Sequence, residues 1–308
     1  MVLQWILLAV GFAMLIKGAD FFVDGAVGIA RKFGIPQLVI GLTIVALGTS
    51  APEAAVSIAS ATKGSADITI GNIVGSNILN IFIILGLTSV ITAIAVSRTT
   101  VKYEIPFMIG ITVLMLILGL DGSIGRIDAI ILLGLMGVYI FYLLKLAKSG
   151  NADEDDVHKK KLKIPVALIL AGIGIALIIF GSQITVNAAT EIARSFGVSE
   201  RFIGLTVVAL GTSLPELFTS VTAAKKGNAD IAVGNIVGSN IFNILFVVGI
   251  SGVITNIPFA EAFRVDTLIA IGASALLLLL CFYKKKLFRW GGVILLACYA
   301  AYFVFWLM

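Results

Sequence analysis

Residues 41–53 read GLTIVALGTSAPE, and residues 204–216 read GLTVVALGTSLPE. Downstream of each lies a second match. GNIVGSNILN at 71–80 returns as GNIVGSNIFN at 234–243, with nine of ten residues identical. Both pairs share one offset, 163, and the register runs back from IARKFG at 29–34 to IARSFG at 192–197. Roughly three in five positions agree between 41–91 and 204–254. The chain is an internal duplication, so its fold must be one that two copies of the same segment build together.

Composition says where those copies reside. Of 308 residues, 59% are hydrophobic and 13% are charged, and the mean hydropathy is +1.11. Apolar stretches spaced along a whole chain of this kind belong to an integral membrane protein. The short alternating segments of a β-barrel are absent, so the spans are helices. About 20 apolar residues cross the hydrocarbon core. Helices are expected near 3–30, 38–62, 68–92, 103–120, 127–147, 164–192, 202–224, 231–255, 265–283 and 290–308. The fold class is therefore all-α membrane protein, with a first five-helix repeat over 1–147, a cytoplasmic linker loop over 148–163 and a second five-helix repeat over 164–308.

Five spans per copy is an odd number, so the second copy enters the membrane from the opposite side. The ten transmembrane helices form two inverted-topology repeats related by a two-fold axis in the membrane plane. With the N-terminus outside, about 16 Lys and Arg residues fall in inner loops and about 5 in outer ones. That bias places both termini outside a cell membrane crossed many times. The net charge of +5 thus sets orientation and implies no nucleic-acid partner. Cys281 and Cys298 lie in late apolar segments without metal-ligand spacing and read as small buried hydrophobes. The opening MVLQWILLAVGFAMLIKGADFFV lacks a basic n-region and a small-residue cleavage site, so it reads as a first span.

Against this background the polar residues of the duplicated motifs stand out. Glu53 lies well inside span 2 and Glu216 at the matching depth of span 7, with no Lys or Arg in either span. An ionised carboxylate there costs a few kcal/mol or more unless something offsets it. A protonated pair that merely holds helices together is one reading; a bound cation fits better, because the acid recurs at the same place in both copies. Pro52 has no N–H and its ring clashes with the carbonyl of Gly48, as Pro215 does with Gly211. A helix broken at that depth exposes carbonyls, which is tolerated only in a protein-lined or wet cavity. Thr49 and Ser50 precede Glu53 by four and three residues, as Thr212 and Ser213 precede Glu216. Their oxygens share a face with the acid. Ser76 and Asn80 are four apart, as are Ser239 and Asn243, while Gly71, Gly75, Gly234 and Gly238 form small-xxx-small pairs that bring helix backbones together. Carboxylates, hydroxyls, amides and carbonyls are hard oxygen donors. They suit Ca²⁺, and Na⁺ by the same preference, better than zinc or copper. No nucleophile, phosphate loop or cofactor motif is present, so the chain reads as no enzyme and as needing no cofactor beyond its transported ions.

G-T-S-x-P-E followed by G-N-x-x-G-S-N-x-x-N, twice, in two five-span halves, resembles the α-repeats of the sodium/calcium exchangers in the cation/calcium antiporter superfamily, the prokaryotic type above all. The resemblance covers essentially the whole chain. It implies that spans 2, 3, 7 and 8 enclose the ion sites and that the long spans 1 and 6 slide across that core. It also implies Thr49, Ser50, Glu53, Ser76 and Asn80 as calcium and sodium ligands, with Thr212, Ser213, Glu216, Ser239 and Asn243 from the second copy. Backbone carbonyls of Ala46 and Ala209 would join them. Family members usually carry Asp at the position of Asn243. Asn in both copies argues against potassium dependence and leaves the sodium count open. Proton-coupled members place an acid shortly after the GN pair; GNIVGSN has none, which favours Na⁺.

The expected activity is Na⁺/Ca²⁺ antiport by alternating access, by a monomer in a lipid bilayer. The rivals are a proton-coupled Ca²⁺ antiporter and a passive cation channel; a porter of organic solutes lacks the aromatics and cationic anchors it would need. Asp20 and Asp24, near the inner end of span 1, either line an ion entrance or, the reading favoured from sequence, snorkel or hydrogen-bond at the interface together with Lys17. The acidic run Asp153–Asp156 and the single histidine, His158, read as a solvated loop.

Overall fold

The computed structural model describes residues 2–63, 67–149, 162–197 and 209–307. Most of the linker, with Asp153–Asp156 and His158, lies outside the described residues, as does the beginning of the seventh expected span. Helix α1 (Val2–Phe33) is followed by a broken pair, α2 (Gln37–Thr49) and α3 (Ala51–Thr62), bent by 51° at Ser50. Then come α4 (Ile68–Ile91), α5 (Thr100–Asp121) and α6 (Arg126–Ser149). The second copy repeats the order with α7 (Ile164–Ser195), α8 (Ala209–Thr212), α9 (Leu214–Lys225), α10 (Ala229–Ile254), α11 (Glu261–Phe282) and α12 (Arg289–Leu307).

Local chemistry accounts for the boundaries. Pro52, Pro165 and Pro215 sit in the first turns of α3, α7 and α9, where a missing N–H removes no helical bond. Gly34 and Gly197 are repeat counterparts, and both follow the end of a long helix with positive φ, 64° and 77°. Only glycine takes that left-handed cap without strain.

Among the described residues, seven helices are long and apolar enough to cross a membrane, eight if the bent α2–α3 pair is one span. This differs from the ten expected, for two reasons. For α12 only Arg289–Val304 is described closely enough to be counted, which falls short of a full span. The helix that carries Glu216 begins among residues outside the description. The helices that are present stand over the segments expected from hydropathy.

The two copies are pinned to each other rather than stacked side by side. Short strands β1 (Ile94–Ala95) and β2 (Ser123–Ile124) pair across the halves with β4 (Lys286–Leu287) and β3 (Ile257–Pro258). Ile94 faces Leu287 and Ile124 faces Ile257. Shifting each residue by the repeat offset converts one pairing into the other, the mark of a two-fold axis. Helices α4 and α10 lie at the centre, 78% and 83% buried, whereas α1, α6, α7 and α11 are no more than 33% buried. A core of Ile, Leu, Val and Phe joins α4 and α10 to α5, α6 and α11. A second, smaller cluster joins α1 to α2, α7 and α9.

Helices α1 and α7 are repeat counterparts, and they run antiparallel in direct backbone contact. A Cβ on Gly11 would meet Thr185, one on Gly18 would meet the Gly174 carbonyl at 2.9 Å, and one on Gly25 the Ala171 amide at 2.5 Å. The small-residue seam expected at the duplicated motif is seen in the second copy. Cβ atoms on Gly234 and Gly238 would lie 3.0 Å from the Leu38 carbonyl and 2.8 Å from the Leu42 Cα. In the first copy, Gly71 faces the Phe263 ring, and Gly75 has no described atom within 4 Å. By the repeat offset, the partners for these two would be residues 201–205, outside the description.

Candidate cation site

The breaks at Ser50 and Ser213 bring the acids together. A new helix begins one residue after each break, at Ala51 and Leu214 with the proline second, so Glu53 and Glu216 both fall in a first helical turn. There the free N–H groups and the helix dipole favour a negative charge. Both carboxylates are completely buried, and neither has a cationic partner among the described residues.

Serines from opposite copies cross to the acids. Ser50 donates to Glu216 Oε1 at 2.9 Å, and Ser213 donates to Glu53 Oε1 at 3.4 Å. Ser76 also reaches Glu53 Oε1 at 3.4 Å and lies 3.3 Å from the Ser213 hydroxyl. Glu53, Glu216, Ser50, Ser213 and Ser76 are thus one cluster built from three helices, α3, α4 and α9, and the two breaks. The Thr49 hydroxyl lies 2.9 Å from Asn235 Oδ1 and also reaches the Val45 and Ala46 carbonyls. The Ala46 carbonyl further accepts the Ser50 amide at 3.0 Å. Ala209 opens α8, and Thr212 lines a cavity described below.

Four asparagines that the sequence reading left out as site residues hold this cluster in place. Asn72 donates to the Glu53 carbonyl and to Ser57; Asn235 does the same to the Glu216 carbonyl and Ser220. Asn77 and Asn240 exchange amide-to-carbonyl bonds across the axis at 3.3 and 3.2 Å. Their side-chain oxygens take the amide N–H of Asn243 and Asn80, at 3.1 and 2.8 Å. Each GNIVGSN-x-x-N motif therefore divides its labour. The first Asn clamps the acid helix, the second ties the two copies, and the third is oriented by the other copy's second. The signal was available, since a buried amide in so apolar a chain requires partners.

Orientation by those bonds leaves oxygens over. Glu53 Oε2, Glu216 Oε2, Asn80 Oδ1, Asn243 Oδ1 and Ser239 Oγ are buried with no hydrogen-bond partner among the described residues. Asn80 and Asn243 each begin a π-helical turn, Asn80–Leu85 and Asn243–Val248. Such turns shift side-chain direction and recur at functional sites. Five uncompensated oxygens, from both copies and including two carboxylates, form a donor set suited to a hard cation.

A cavity of about 460 Å³ lies beside the two breaks, lined by Ala51, Pro52, Gly211 and Thr212 and by Ser182, Gln183 and Asn187 of α7. The Gly211 carbonyl, released by Pro215, accepts the Ser182 hydroxyl at 2.7 Å. Asp20 and Asp24, left between two readings by the sequence, are ion-paired to Lys226 of the second copy.

The family described as "Sodium/calcium exchanger protein" matches residues 3–145 and 166–308. The chain is 40% identical over 314 residues to the putative antiporter CaxA of Alkalimonas amylolytica, covering 98% of both. It is 31% identical to the sodium/calcium exchanger MaX1 of Methanosarcina acetivorans, covering 98% of this chain and 97% of the other. The solved structure of the sodium-calcium exchanger NCX_Mj soaked in Na⁺ without Ca²⁺ superposes with a TM-score of 0.86 at 34% identity, over 98% of each chain. With both repeats matched and the fold shared end to end, the chain belongs to the sodium/calcium exchanger family.

Proposed function

We propose that this protein is a secondary active antiporter that exchanges Na⁺ for Ca²⁺ across the membrane by alternating access. The observation that carries the reading is the set of five partnerless buried oxygens around Glu53 and Glu216. Two carboxylates balance the charge of one Ca²⁺. Emptied of it they are buried anions, and each such charge costs several kcal/mol unless paired. The same oxygens hold Na⁺ in its place, so exchange follows from the penalty on moving the bare site. Thr49, Thr212, Ser50, Ser213, Ser76, Ser239, Asn80 and Asn243 complete the ligand set, with the Ala46 and Ala209 carbonyls beside them. The relatives named as an antiporter and as sodium/calcium exchangers support this assignment.

In this reading the chain has ten spans in two inverted halves, both termini outside, and the cavity beside α7 opens outward. One chain contains both halves of the site, so a monomer suffices. A cycle that moves one net charge responds to the membrane potential by about 2.3 kcal/mol per 100 mV. In proteoliposomes loaded with Na⁺ and diluted into Na⁺-free buffer, radiolabelled Ca²⁺ should accumulate. Uptake driven by a pH gradient without Na⁺ would replace the sodium version by proton coupling. Unitary currents with no counter-ion requirement would replace both by a channel.

A further inference from the structure

Lys226 lies just beyond the end of α9, the helix that begins at the Glu216 break. Its ammonium lies 2.8 Å from Asp24 Oδ1 and 3.3 Å from Asp20 Oδ1, and donates to the Asp20 carbonyl at 3.0 Å. The two acids are one turn apart on α1, so a single lysine ties the long first helix to the helix that carries the site. A cavity of about 370 Å³, lined in part by Asp24, Arg31, Lys226 and Asn228, adjoins the bridge.

The repeat offset gives this bridge a meaning. Asp20 and Asp24 are the counterparts of Gln183 and Asn187, and Val23 is the counterpart of Val186. On α7 those positions line the cavity beside the two breaks. On α1 the equivalent face is shut: Val23, Thr49 and Thr219 are completely buried. Leu214 and Phe218 stand where the other copy has Ala51 and Ala55, and the Phe218 ring packs 6.0 Å from Phe12. Lys226 corresponds to Lys63, which finds amides rather than carboxylates at the two equivalent positions. At these positions carboxylates stand on one access face only, and with them the means to hold the lysine.

We propose that the Lys226–Asp20–Asp24 bridge is the lock on the closed access face. While the ammonium sits between the carboxylates, α1 stays on α9 and the site opens only along α7. Opening the other face separates α1 from α9, breaks the bridge and leaves two carboxylates at the mouth, where they attract a cation and repel an anion. The lock rests on the alternating-access reading and adds sidedness to it. The bridge is partly exposed, with the lysine side chain 29% and the acids 38% and 50% accessible. It therefore biases the two forms by no more than about fivefold, which suits a lock that must release each cycle.

Cysteine accessibility tests this. In a chain with Cys281 and Cys298 replaced by serine, Val23→Cys reports the closed face and Val186→Cys the open one, read by a membrane-permeant maleimide in proteoliposomes without Ca²⁺. Lys226→Gln should raise the Val23→Cys labelling rate by about three- to fivefold. Asp20→Asn with Asp24→Asn should do the same, and all three changes together no more than either. The charge swap Lys226→Asp with Asp24→Lys should restore the slow rate, which a general loss of folding would not. Val186→Cys should label readily throughout. An unchanged Val23→Cys rate, or effects that simply add, overturns the lock. Labelling reads access and not flux, so altered access without Na⁺-driven Ca²⁺ uptake would defeat the exchange reading and leave the lock in place.

Discussion

The two halves of the site share a motif and differ in their surroundings. Glu216 receives one firm bond, from Ser50 at 2.9 Å. Glu53 receives two long ones, from Ser76 and Ser213, both at 3.4 Å. Ser76 is engaged, while its counterpart Ser239 has no partner. Thr49 is completely buried, whereas Thr212 lines a cavity. Identical residues related by a two-fold axis would be equivalent if the whole molecule obeyed it. They are not, because one face of the two breaks, with Ala51, Pro52, Gly211 and Thr212, lines a cavity, while on the opposite face Leu214 and Phe218 are packed. The difference teaches that the duplication supplies a symmetric donor set and that the conformation breaks the symmetry. Exchanging the two environments is what an alternating cycle would require.

The strongest way to break the comparison is to remove either charge. Glu53→Gln and Glu216→Gln should each lower Ca²⁺ uptake in proteoliposomes by more than about 100-fold, since removing one member of a buried charge set costs about 3–5 kcal/mol. Substantial activity in one variant alone would show that the halves differ in chemistry and not only in surroundings.

Packing offers a second contrast. Gly238→Ala places a methyl 2.8 Å from the Leu42 Cα and should destabilise the protein by about 1–3 kcal/mol, seen as a lower thermal midpoint in detergent. Gly110→Ala, on an exposed face of α5 with no described atom within 4 Å of the added Cβ, should stay within about 1 kcal/mol of wild type. An equal loss there would mean that close backbone packing is not what the methyl at Gly238 disturbs.

Adding charge is a gentler probe. Asn243→Asp should tighten Ca²⁺ binding by about tenfold by calorimetry, because the new attraction is largely offset by burying another carboxylate. Asn80→Asp should match it if the donor set is symmetric, and a disparity between the two would measure how far it is not.

The smallest effect is expected at Ser182. Loss of its 2.7 Å bond to the Gly211 carbonyl should cost about 1 kcal/mol of stability on Ser182→Ala. Its counterpart, Ala19, has no hydroxyl, so no equivalent bond exists to lose on the closed face.

Much of the fold and part of the site were legible before any coordinates. Long apolar segments mark helices because the bilayer demands internal backbone bonding, and those expected near 68–92 and 127–147 became Ile68–Ile91 and Arg126–Ser149. Pro52 beside Glu53 announced a break near an acid, and the structure breaks the helix at Ser50. The ten-residue motif was harder to read. Its glycines were expected to form backbone seams in both copies; Gly234 and Gly238 do so, and the matching partners of Gly71 and Gly75 lie outside the described residues. Its first two asparagines passed unnoticed because their work is to bond partners more than 150 residues away or on a neighbouring helix. Asp20 and Asp24 were ambiguous for the same reason, since Lys226 is 202 residues from Asp24 along the chain.

What the sequence by itself determined is the inventory: two copies at one offset, helices long enough to span, an acid beside a proline in each, and oxygen donors of one chemical kind. Periodicity, hydropathy and backbone sterics are local, and local rules suffice for these. Only the tertiary structure decided which oxygens are spent on each other and which are left over. It also decided which access face is open, and which lysine meets which acid. Those outcomes depend on contacts between the copies across the two-fold axis, and a duplicated sequence is silent about how its copies are allowed to differ.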